Sequence, residues 1–111
     1  MSSGQEAETA AATYLARHGY KIIERNYRTP ACEIDIIAEY RKRLYFVEVK
    51  YRGRDFQGSG LDYVTSAKRR RMARAAEQWL SEHPWRGEIC LSAIAVSGDF
   101  AVTDFIEDIG E

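Results

Sequence analysis

The sequence predicts a mixed α/β domain, in which a central sheet of five strands is accompanied by two helices. Three observations lead to this fold class. The composition, 45% apolar, 12% aromatic and 30% charged, is typical of a globular protein. The hydrophobic pattern changes in the order helix, three strands, helix, two strands. There is no internal repeat, linker or low-complexity tract, so the 111 residues are expected to form a single domain, 1–111.

The first predicted element is a helix over residues 6–18. Small and apolar residues recur there at helical spacing, as at Ala7, Ala11 and Leu15, and Gly19 is a typical helix stop. Three strands rich in β-branched and aromatic residues are predicted next. They cover residues 20–27, 32–38 and 44–51, separated by Thr29-Pro30 and by a basic turn, Arg41-Lys42-Arg43.

The second half of the chain is predicted to hold one helix and two further strands. Residues 52–60 contain three glycines and form a polar loop, after which Asp62 or Thr65 is expected to cap a helix running to about Leu80. The last strands are predicted at 89–96 and 100–106. The pattern leaves open whether the two helices cover opposite faces of the sheet or the same face.

The distribution of charge indicates a polyanionic partner. The chain carries 16 basic and 17 acidic residues, yet residues 41–74 have a net charge of +8 and residues 75–111 one of −7. A middle segment this basic within a nearly neutral chain favours a face that binds nucleic acid. The alternative is a chance segregation of charge between helices and sheet edges.

Several classes of protein are not expected. No apolar run approaches the ~20 residues that cross a bilayer, and the first residues lack the pattern of a signal peptide. Two cysteines, Cys32 and Cys90, provide no disulfide framework, so a cytoplasmic protein without membrane contact is expected. Neither His18 nor His83 offers a triad or zinc set, and no glycine-rich phosphate loop is present.

Charged residues fall where two of the predicted strands are otherwise apolar. Because side chains alternate along a strand, Glu33 and Asp35 are expected on one face, with Ile34 and Ile36 together on the other. On the third strand, Glu48 and Lys50 follow Leu44 and Phe46 along one face, with Tyr45, Val47, Val49 and Tyr51 opposite. Buried charges are costly unless they are paired or bind a cation.

A hairpin of the second and third strands would place Asp35 beside Glu48. Two adjacent carboxylates suit a hard divalent cation such as Mg²⁺. Lys50 would then lie near a metal-bound water, where an ammonium can orient the nucleophile or stabilise charge on a phosphate. The alternative is a carboxylate–lysine ion pair at the end of the sheet.

Two predicted helices contribute further candidates. Glu8 lies on the apolar stripe of the first helix, so it is expected either to face the sheet as an additional carboxylate or to stay exposed near the helix N-terminus. Lys68 lies on the stripe that contains Met72 and Trp79, and its stem can extend over the core. The neighbouring arginines favour phosphate contacts, with a solvated helix face as the alternative; they are Arg69, Arg70, Arg71 and Arg74.

These segments resemble a small bacterial family, the YraN-like proteins, over residues 4 to about 80. The matching segments include Gly4-x-x-x-Glu8, Arg25-Asn26-Tyr27, Glu33-Ile34-Asp35-Ile36-Ile37-Ala38, Phe46-Val47-Glu48-Val49-Lys50-x-Arg52 and Lys68. The signature is similar to that of the PD-(D/E)xK superfamily, which includes restriction endonucleases and archaeal Holliday-junction resolvases. The resemblance implies a restriction-endonuclease-like fold, a mixed central sheet flanked by helices.

The resemblance also implies a function and a set of site residues. Asp35 and Glu48 would be metal ligands, Glu8 would complete the site, Lys50 would be the catalytic lysine and Glu33 would support them. The implied protein is a Mg²⁺- or Mn²⁺-dependent endonuclease. In such an enzyme Arg52, Lys68 and the helix arginines would hold phosphates. No recognition helix or zinc finger is evident in the sequence, so structured or branched DNA is the expected substrate. Homodimerisation is an expectation of the resemblance alone. Two departures concern substrate and activity: Cys32 replaces the usual glycine, and Cys90-Leu91-Ser92 replaces an Arg-Phe-Asp segment.

A second function is compatible with the same residues. A non-catalytic module of the same fold would bind nucleic acid through its basic surface and would tolerate the loss of the carboxylates. A nuclease would need them for turnover.

Overall fold

The fold is a five-stranded mixed sheet with one helix on each face. The computed structural model describes residues 3–53 and 64–109. The elements follow the predicted order: α1 (Ser3–Arg17), β1 (Lys21–Arg28), β2 (Glu33–Tyr40), β3 (Arg43–Tyr51), α2 (Ser66–Glu82), β4 (Glu88–Val96) and β5 (Val102–Ile106). The mixed α/β fold class is thereby confirmed, and the architecture is consistent with the restriction-endonuclease-like fold.

Strand order in the sheet follows the order of the strands in the chain. Neighbouring strands pair antiparallel except β3 and β4, which are parallel from the pair Arg43–Glu88 to the pair Tyr51–Val96. A parallel pair requires a crossover connection, and α2 provides it. A two-residue turn joins β2 to β3, with Arg41 at φ 50° and Lys42 at φ 66°. Positive φ at both central residues is typical of a type I′ hairpin.

The two helices cover opposite faces of the sheet, which decides the alternative that the sequence left open. Ala7, Ala11 and Leu15 of α1 are at most 1% exposed and pack on one face. On the other face α2 presents a buried stripe, which consists of Met72, Ala75, Ala76 and Trp79. Each helix therefore buries only the face that its apolar spacing predicts.

The alternation of side chains along β2 departs from the prediction. Ile34 packs on the α2 face with Ile37, whereas Ile36 packs on the α1 face with Ala38. The expectation that Ile34 and Ile36 share a face is therefore wrong, since the alternation slips by one position at Asp35. The β2–β3 ladder also ends here, at the pair Ile36–Val47. β3 keeps its regular alternation, with Leu44 and Phe46 on the α2 face and Tyr45 and Val47 on the α1 face.

The N-terminus of α2 is closed by one of the two predicted caps. The Thr65 hydroxyl accepts a hydrogen bond from the backbone N–H of Lys68 at 3.1 Å. This contact satisfies one of the donors that a helix N-terminus leaves unpaired. Asp62, the other candidate cap, and most of the predicted polar loop lie outside the described residues.

Candidate functional site

The candidate site lies where β2 and β3 separate. Continuing the antiparallel register beyond the pair Ile36–Val47 places Asp35 opposite Glu48. On the other side of β2, the pairs Arg25–Ile36 and Tyr27–Ile34 place Asn26 opposite Asp35. We call Asn26, Asp35 and Glu48 the polar row. It crosses three strands at the same level, so the predicted neighbourhood of Asp35 and Glu48 follows directly from the hairpin.

Asp35 is the most buried charged residue that the structure describes. Its side chain occupies the gap at the end of the ladder, and its Oδ2 atom accepts a hydrogen bond from the backbone N–H of Val49 at 2.7 Å. Burial, reinforced by the nearby Glu48 carboxylate, raises the pKa of Asp35 to about 8. The Val49 N–H acts in the opposite sense but is outweighed. Near neutral pH this carboxyl therefore holds a proton unless a positive charge approaches it.

Glu48 is paired with a lysine from α2. The Lys68 ammonium lies 3.3 Å from Glu48 Oε1, and the two side chains are 24% and 14% exposed. Burial raises the pKa of Glu48, although Lys68 and, more weakly, Lys50 act to lower it. Lys68 thus reaches the acids across the core surface, as its position on the apolar stripe predicts. The ion pair that the sequence offered as an alternative to a metal site is present, formed by Lys68.

Glu8 faces inward from α1, as one of its two predicted placements requires. Its side chain is 15% exposed, and the Arg25 guanidinium lies 3.6 Å from its Oε1 atom. Burial raises the pKa of Glu8, and Arg25 opposes this shift. Glu8 also acts electrostatically on Asp35. The alternative placement, exposed to solvent at the helix N-terminus, is not the one that the structure shows.

Glu33 lies beside this group at the start of β2. Its Oε2 atom accepts a hydrogen bond from Arg28 Nε at 3.1 Å, across a directly paired position of β1 and β2. Its charge acts to raise the pKa of Asp35, Glu8 and Glu48. Glu33 therefore belongs to the same electrostatic group as the three predicted ligands.

Cys32 borders the site on the α2 side. Its thiol lies 3.9 Å from the Lys68 ammonium, and burial raises its pKa. Ser92, the other departure from the resembling family, is fully buried and donates to the backbone carbonyl of Glu107. Cys32 thus lies next to the acids. Ser92, on β4, instead holds the backbone of Glu107, just after β5.

The basic residues divide into two groups by position. Lys68 contacts the acids, and Arg71, one turn along α2, is close enough to act electrostatically on Cys32. Arg70 and Arg74 are exposed on another part of the helix surface, and Arg69 is half-buried. Arg52 follows β3, where its backbone N–H donates to the Val96 carbonyl at 2.8 Å. Of the predicted phosphate-binding residues, Lys68 therefore contacts the acids and Arg71 lies near them, whereas no such contact is seen for Arg70 and Arg74 among the described residues.

The donor set fits a hard cation better than a soft one. Carboxylate oxygens predominate, and the raised pKa of Asp35 shows that negative charge there lacks sufficient compensation within the fold. Within residues 3–53 and 64–109, no three acidic, histidine or cysteine side chains are grouped closely enough to enclose an ion by themselves. Asp35 and Glu48, which lie opposite each other, could supply a Mg²⁺ or Mn²⁺ ion with two ligands and leave the remaining positions to water. Glu8 on α1 is near enough to act electrostatically on Asp35 but does not form a ready-made group of three with them.

Three residues of β1 that carried no predicted role contact the acids. They are Arg25, Asn26 and Arg28. Asn26 shows the clearest departure from strand geometry, with φ 59° in the middle of β1. Sequence reasoning could not find these contacts because the period of β1 gives no sign of a left-handed residue. An asparagine, which tolerates that conformation, is the sole local signal.

Comparison with known proteins places this chain in a family. Residues 7–97 match the sequence model of Uncharacterised protein family UPF0102, a span that runs from α1 to just beyond β4. The chain belongs to the UPF0102 family. The family assignment shows which proteins are related to this chain, but it carries no activity with it. The likeness to the nuclease superfamily stays a prediction.

Individual UPF0102 relatives come from diverse bacteria. A UPF0102 protein of Chlorobium chlorochromatii is 51% identical over 78 residues, covering 70% of this chain and 60% of the relative. One from Vibrio parahaemolyticus is 43% identical over 79 residues, covering 71% and 65%. One from Cytophaga hutchinsonii is 34% identical over 99 residues, covering 89% and 88%. The chain thus spans less than two thirds of the first two relatives. No helix among the described residues is long and apolar enough to cross a membrane.

Proposed function

We propose that this protein is a divalent-metal-dependent nuclease that hydrolyses phosphodiester bonds in structured or branched DNA. The observation that supports it most is Asp35, a buried carboxyl with a pKa of about 8 placed opposite a second carboxyl, Glu48, whose side chain is 14% exposed. Strongly perturbed acids grouped at a strand end are frequent at catalytic sites. The basic stretch of residues 41–74 supports a polyanionic substrate.

Each acid has a distinct part in this proposal. Asp35 and Glu48 would bind the cation, and Glu8 would approach from α1 to complete the ligands. A bound Mg²⁺ or Mn²⁺ would supply Lewis-acid stabilisation of the phosphate. Glu33 would keep the local field negative and so favour cation binding.

The lysines have different roles. Lys50 lies two residues beyond Glu48 on the same strand and lowers its pKa, so its ammonium belongs to the same electrostatic group. There it would orient the attacking water. Lys68, paired with Glu48 at 3.3 Å, would turn to a substrate phosphate once a cation neutralises Glu48. Arg71 and the exposed arginines of α2, together with Arg52, would hold the flanking phosphates.

A cleavage assay on defined DNA structures tests the proposal. The substrates are a four-way junction, a flap, a single strand and a duplex, each incubated with Mg²⁺, Mn²⁺ or EDTA. We expect cation-dependent cutting that is lost in Asp35→Asn and Lys50→Met, because these changes remove a ligand and the water-orienting ammonium. Asp104→Asn, an exposed acid on β5, is the matched control and should cut normally.

The competing function is a nucleic-acid-binding module without catalysis. The Lys68–Glu48 ion pair favours it, because this pair already compensates one of the buried charges without a metal. Binding by the wild type that persists in Asp35→Asn, with no cutting under any condition, would establish the module and reject the nuclease. Sedimentation of the same samples would test whether two copies associate.

A further inference from the structure

Asn26 has a backbone conformation that redirects its side chain. Glu24, two residues before Asn26, accepts a hydrogen bond from Trp79 of α2, and Tyr27, the residue after it, donates one to Glu82 of α2. Arg25 points instead to Glu8 on α1. Regular alternation would send Asn26 away from Glu8, but its φ of 59° turns the side chain to the same acid. Arg25 and Asn26, two consecutive residues of β1, therefore both contact the Glu8 carboxylate.

The amide of Asn26 joins two acids of the site. With its nitrogen directed to the carboxylates, it donates to Glu8 Oε1 at 2.8 Å, to Glu8 Oε2 at 3.1 Å and to Glu33 Oε2 at 3.2 Å. This orientation follows from the hydrogen-bond network, because carboxylate oxygens accept and only the nitrogen of the amide can donate. Asn26 thus links the α1 acid to the first residue of β2.

A neutral donor suits this position for an electrostatic reason. The guanidinium groups of Arg25 and Arg28 also contact Glu8 and Glu33, but their side chains are 35% and 79% exposed and they carry charge. An amide fixes the direction of a carboxylate without adding a positive charge that would compete with a cation. Its short side chain also loses little rotational freedom when it is held.

We propose that Asn26 is a positioning residue that directs the Glu8 carboxylate towards the acids of the polar row. The inference rests on the proposed function for its consequence, namely that a correctly directed Glu8 strengthens cation binding. The contact between Asn26 and Glu8 does not depend on that function and can be tested without metal or DNA. Residues that orient metal ligands typically contribute a factor of about 10 to 100 in metal affinity.

The test uses two variants that keep the left-handed backbone. Asn26→Gly removes the amide while tolerating φ 59°, and Asn26→Asp keeps the shape but replaces the donor by an acceptor. Lys42→Gly is the matched control, because Lys42 has φ 66° in the exposed turn between β2 and β3. Mn²⁺ affinity is measured by calorimetry, and cutting of the best substrate is resolved into kcat and KM.

We expect Asn26→Gly to weaken Mn²⁺ binding by about 10-fold or more. We also expect a lower kcat at saturating DNA with KM nearly unchanged, since the proposal gives Asn26 a contact with Glu8 and none with the substrate. Asn26→Asp should be at least as impaired, and Lys42→Gly should match the wild type in Mn²⁺ affinity and in kcat at saturating DNA. Circular dichroism establishes whether each variant is folded. If Asn26→Gly does not fold, Asn26→Asp provides the test. Wild-type values in a folded Asn26 variant would overturn the proposal.

A second measurement is independent of metal and of cutting. The side-chain amide signal of Asn26, assigned by its loss in Asn26→Asp, is recorded by ¹⁵N NMR in EDTA. We expect this signal to shift in Glu8→Gln and to remain in place in Glu88→Gln. An unchanged signal in Glu8→Gln would overturn the orientation by Asn26. If the shift occurs but the wild type neither binds Mn²⁺ nor cuts, the proposed nuclease fails while the contact stands.

Discussion

Asp35 makes the stability of the protein depend on pH. Its pKa in the fold is about 8, whereas an unfolded aspartate has a pKa of about 3.9. Between these values the folded state binds the proton more tightly, so stability falls as pH rises and levels off above pH 8. In EDTA we expect the melting temperature of the wild type to decrease from pH 5 to pH 8.5.

Asp35→Asn should remove most of this dependence. An amide is neutral at every pH, so the variant should exceed the wild type in the free energy of unfolding by at least about 1 kcal/mol at pH 8.5. That difference is about 4–8 °C in melting temperature for a domain of this size. The gain should shrink towards pH 5, where Asp35 is already protonated in the fold. Equal melting temperatures at pH 8.5 would show that Asp35 is not held protonated by burial.

The Lys68–Glu48 pair provides a second prediction for single residues. Lys68→Met leaves the Glu48 carboxylate, which is 14% exposed, without its cation. We therefore expect a loss of about 1–3 kcal/mol in the free energy of unfolding. The double variant Lys68→Met/Glu48→Gln should recover most of this loss, because no uncompensated charge remains. Urea denaturation at pH 7.5 measures both effects.

A second ion pair serves as the control for Lys68. Arg43 and Glu88 lie 2.8 Å apart, but their side chains are 49% and 72% exposed. Water screens this pair, so Arg43→Met should cost much less stability than Lys68→Met. A comparable loss in Arg43→Met and Lys68→Met would contradict the assignment of Glu48 as a buried charge.

At this scale the sequence predicts the identity of the acids better than their partners. The basic turn, which sets the register of the β2–β3 hairpin, suffices to bring Asp35 and Glu48 together. The lysine that contacts Glu48 comes from α2, and a contact between distant segments depends on how a helix docks, which local spacing does not encode. The sequence does not predict the contacts of Asn26 for a different reason: they depend on a positive φ, which strand periodicity does not indicate.

At the scale of elements, the turn between β2 and β3 can be improved. Arg41 and Lys42 both have positive φ, which costs free energy in residues with a Cβ atom. Replacing them by Asn-Gly, the pair that type I′ turns favour, should raise the free energy of unfolding by about 0.5–1 kcal/mol. Thermal denaturation measures the change. A loss of stability would indicate that the Arg41 guanidinium, which lies 5.0 Å from the Tyr40 ring centre, outweighs the strain.

The elements themselves are well predicted because their signals are local. Gly19 follows the end of α1, Thr65 caps α2, and each apolar stripe faces the sheet. The prediction fails within β2, where Ile34 and Ile36 contact opposite faces. Period-two reasoning assumes an unbroken ladder, and the ladder between β2 and β3 ends at this level. The slip that defeats the prediction is also the feature that places Asp35 between the strands.

For the whole molecule, the uneven charge predicts binding to nucleic acid that depends strongly on salt. Residues 41–74 carry a net charge of +8 although the chain as a whole carries −1. Log Kd for a DNA junction, measured in EDTA, should rise linearly with log salt. Arg71→Gln should lower the slope by about one, as expected for one phosphate contact.

Arg86→Gln is the matched control for the salt experiment. Arg86 is exposed and is the single basic residue within 75–111. Because its segment has a net charge of −7, we expect the variant to retain the wild-type slope. Equal slopes for Arg71→Gln and the wild type would place the DNA on a different surface.

The origin of Lys68 in the crossover helix has a consequence for folding kinetics. The polar row is formed by β1, β2 and β3, which follow one another through short connections, whereas Lys68 arrives only when α2 docks. Contacts between near segments generally form faster than those closing long loops. A folding intermediate with the hairpin formed would expose mutually repelling carboxylates at neutral pH. Refolding should therefore be faster at mildly acidic pH or with millimolar Mg²⁺, so the ions that we propose for the site would also assist its assembly.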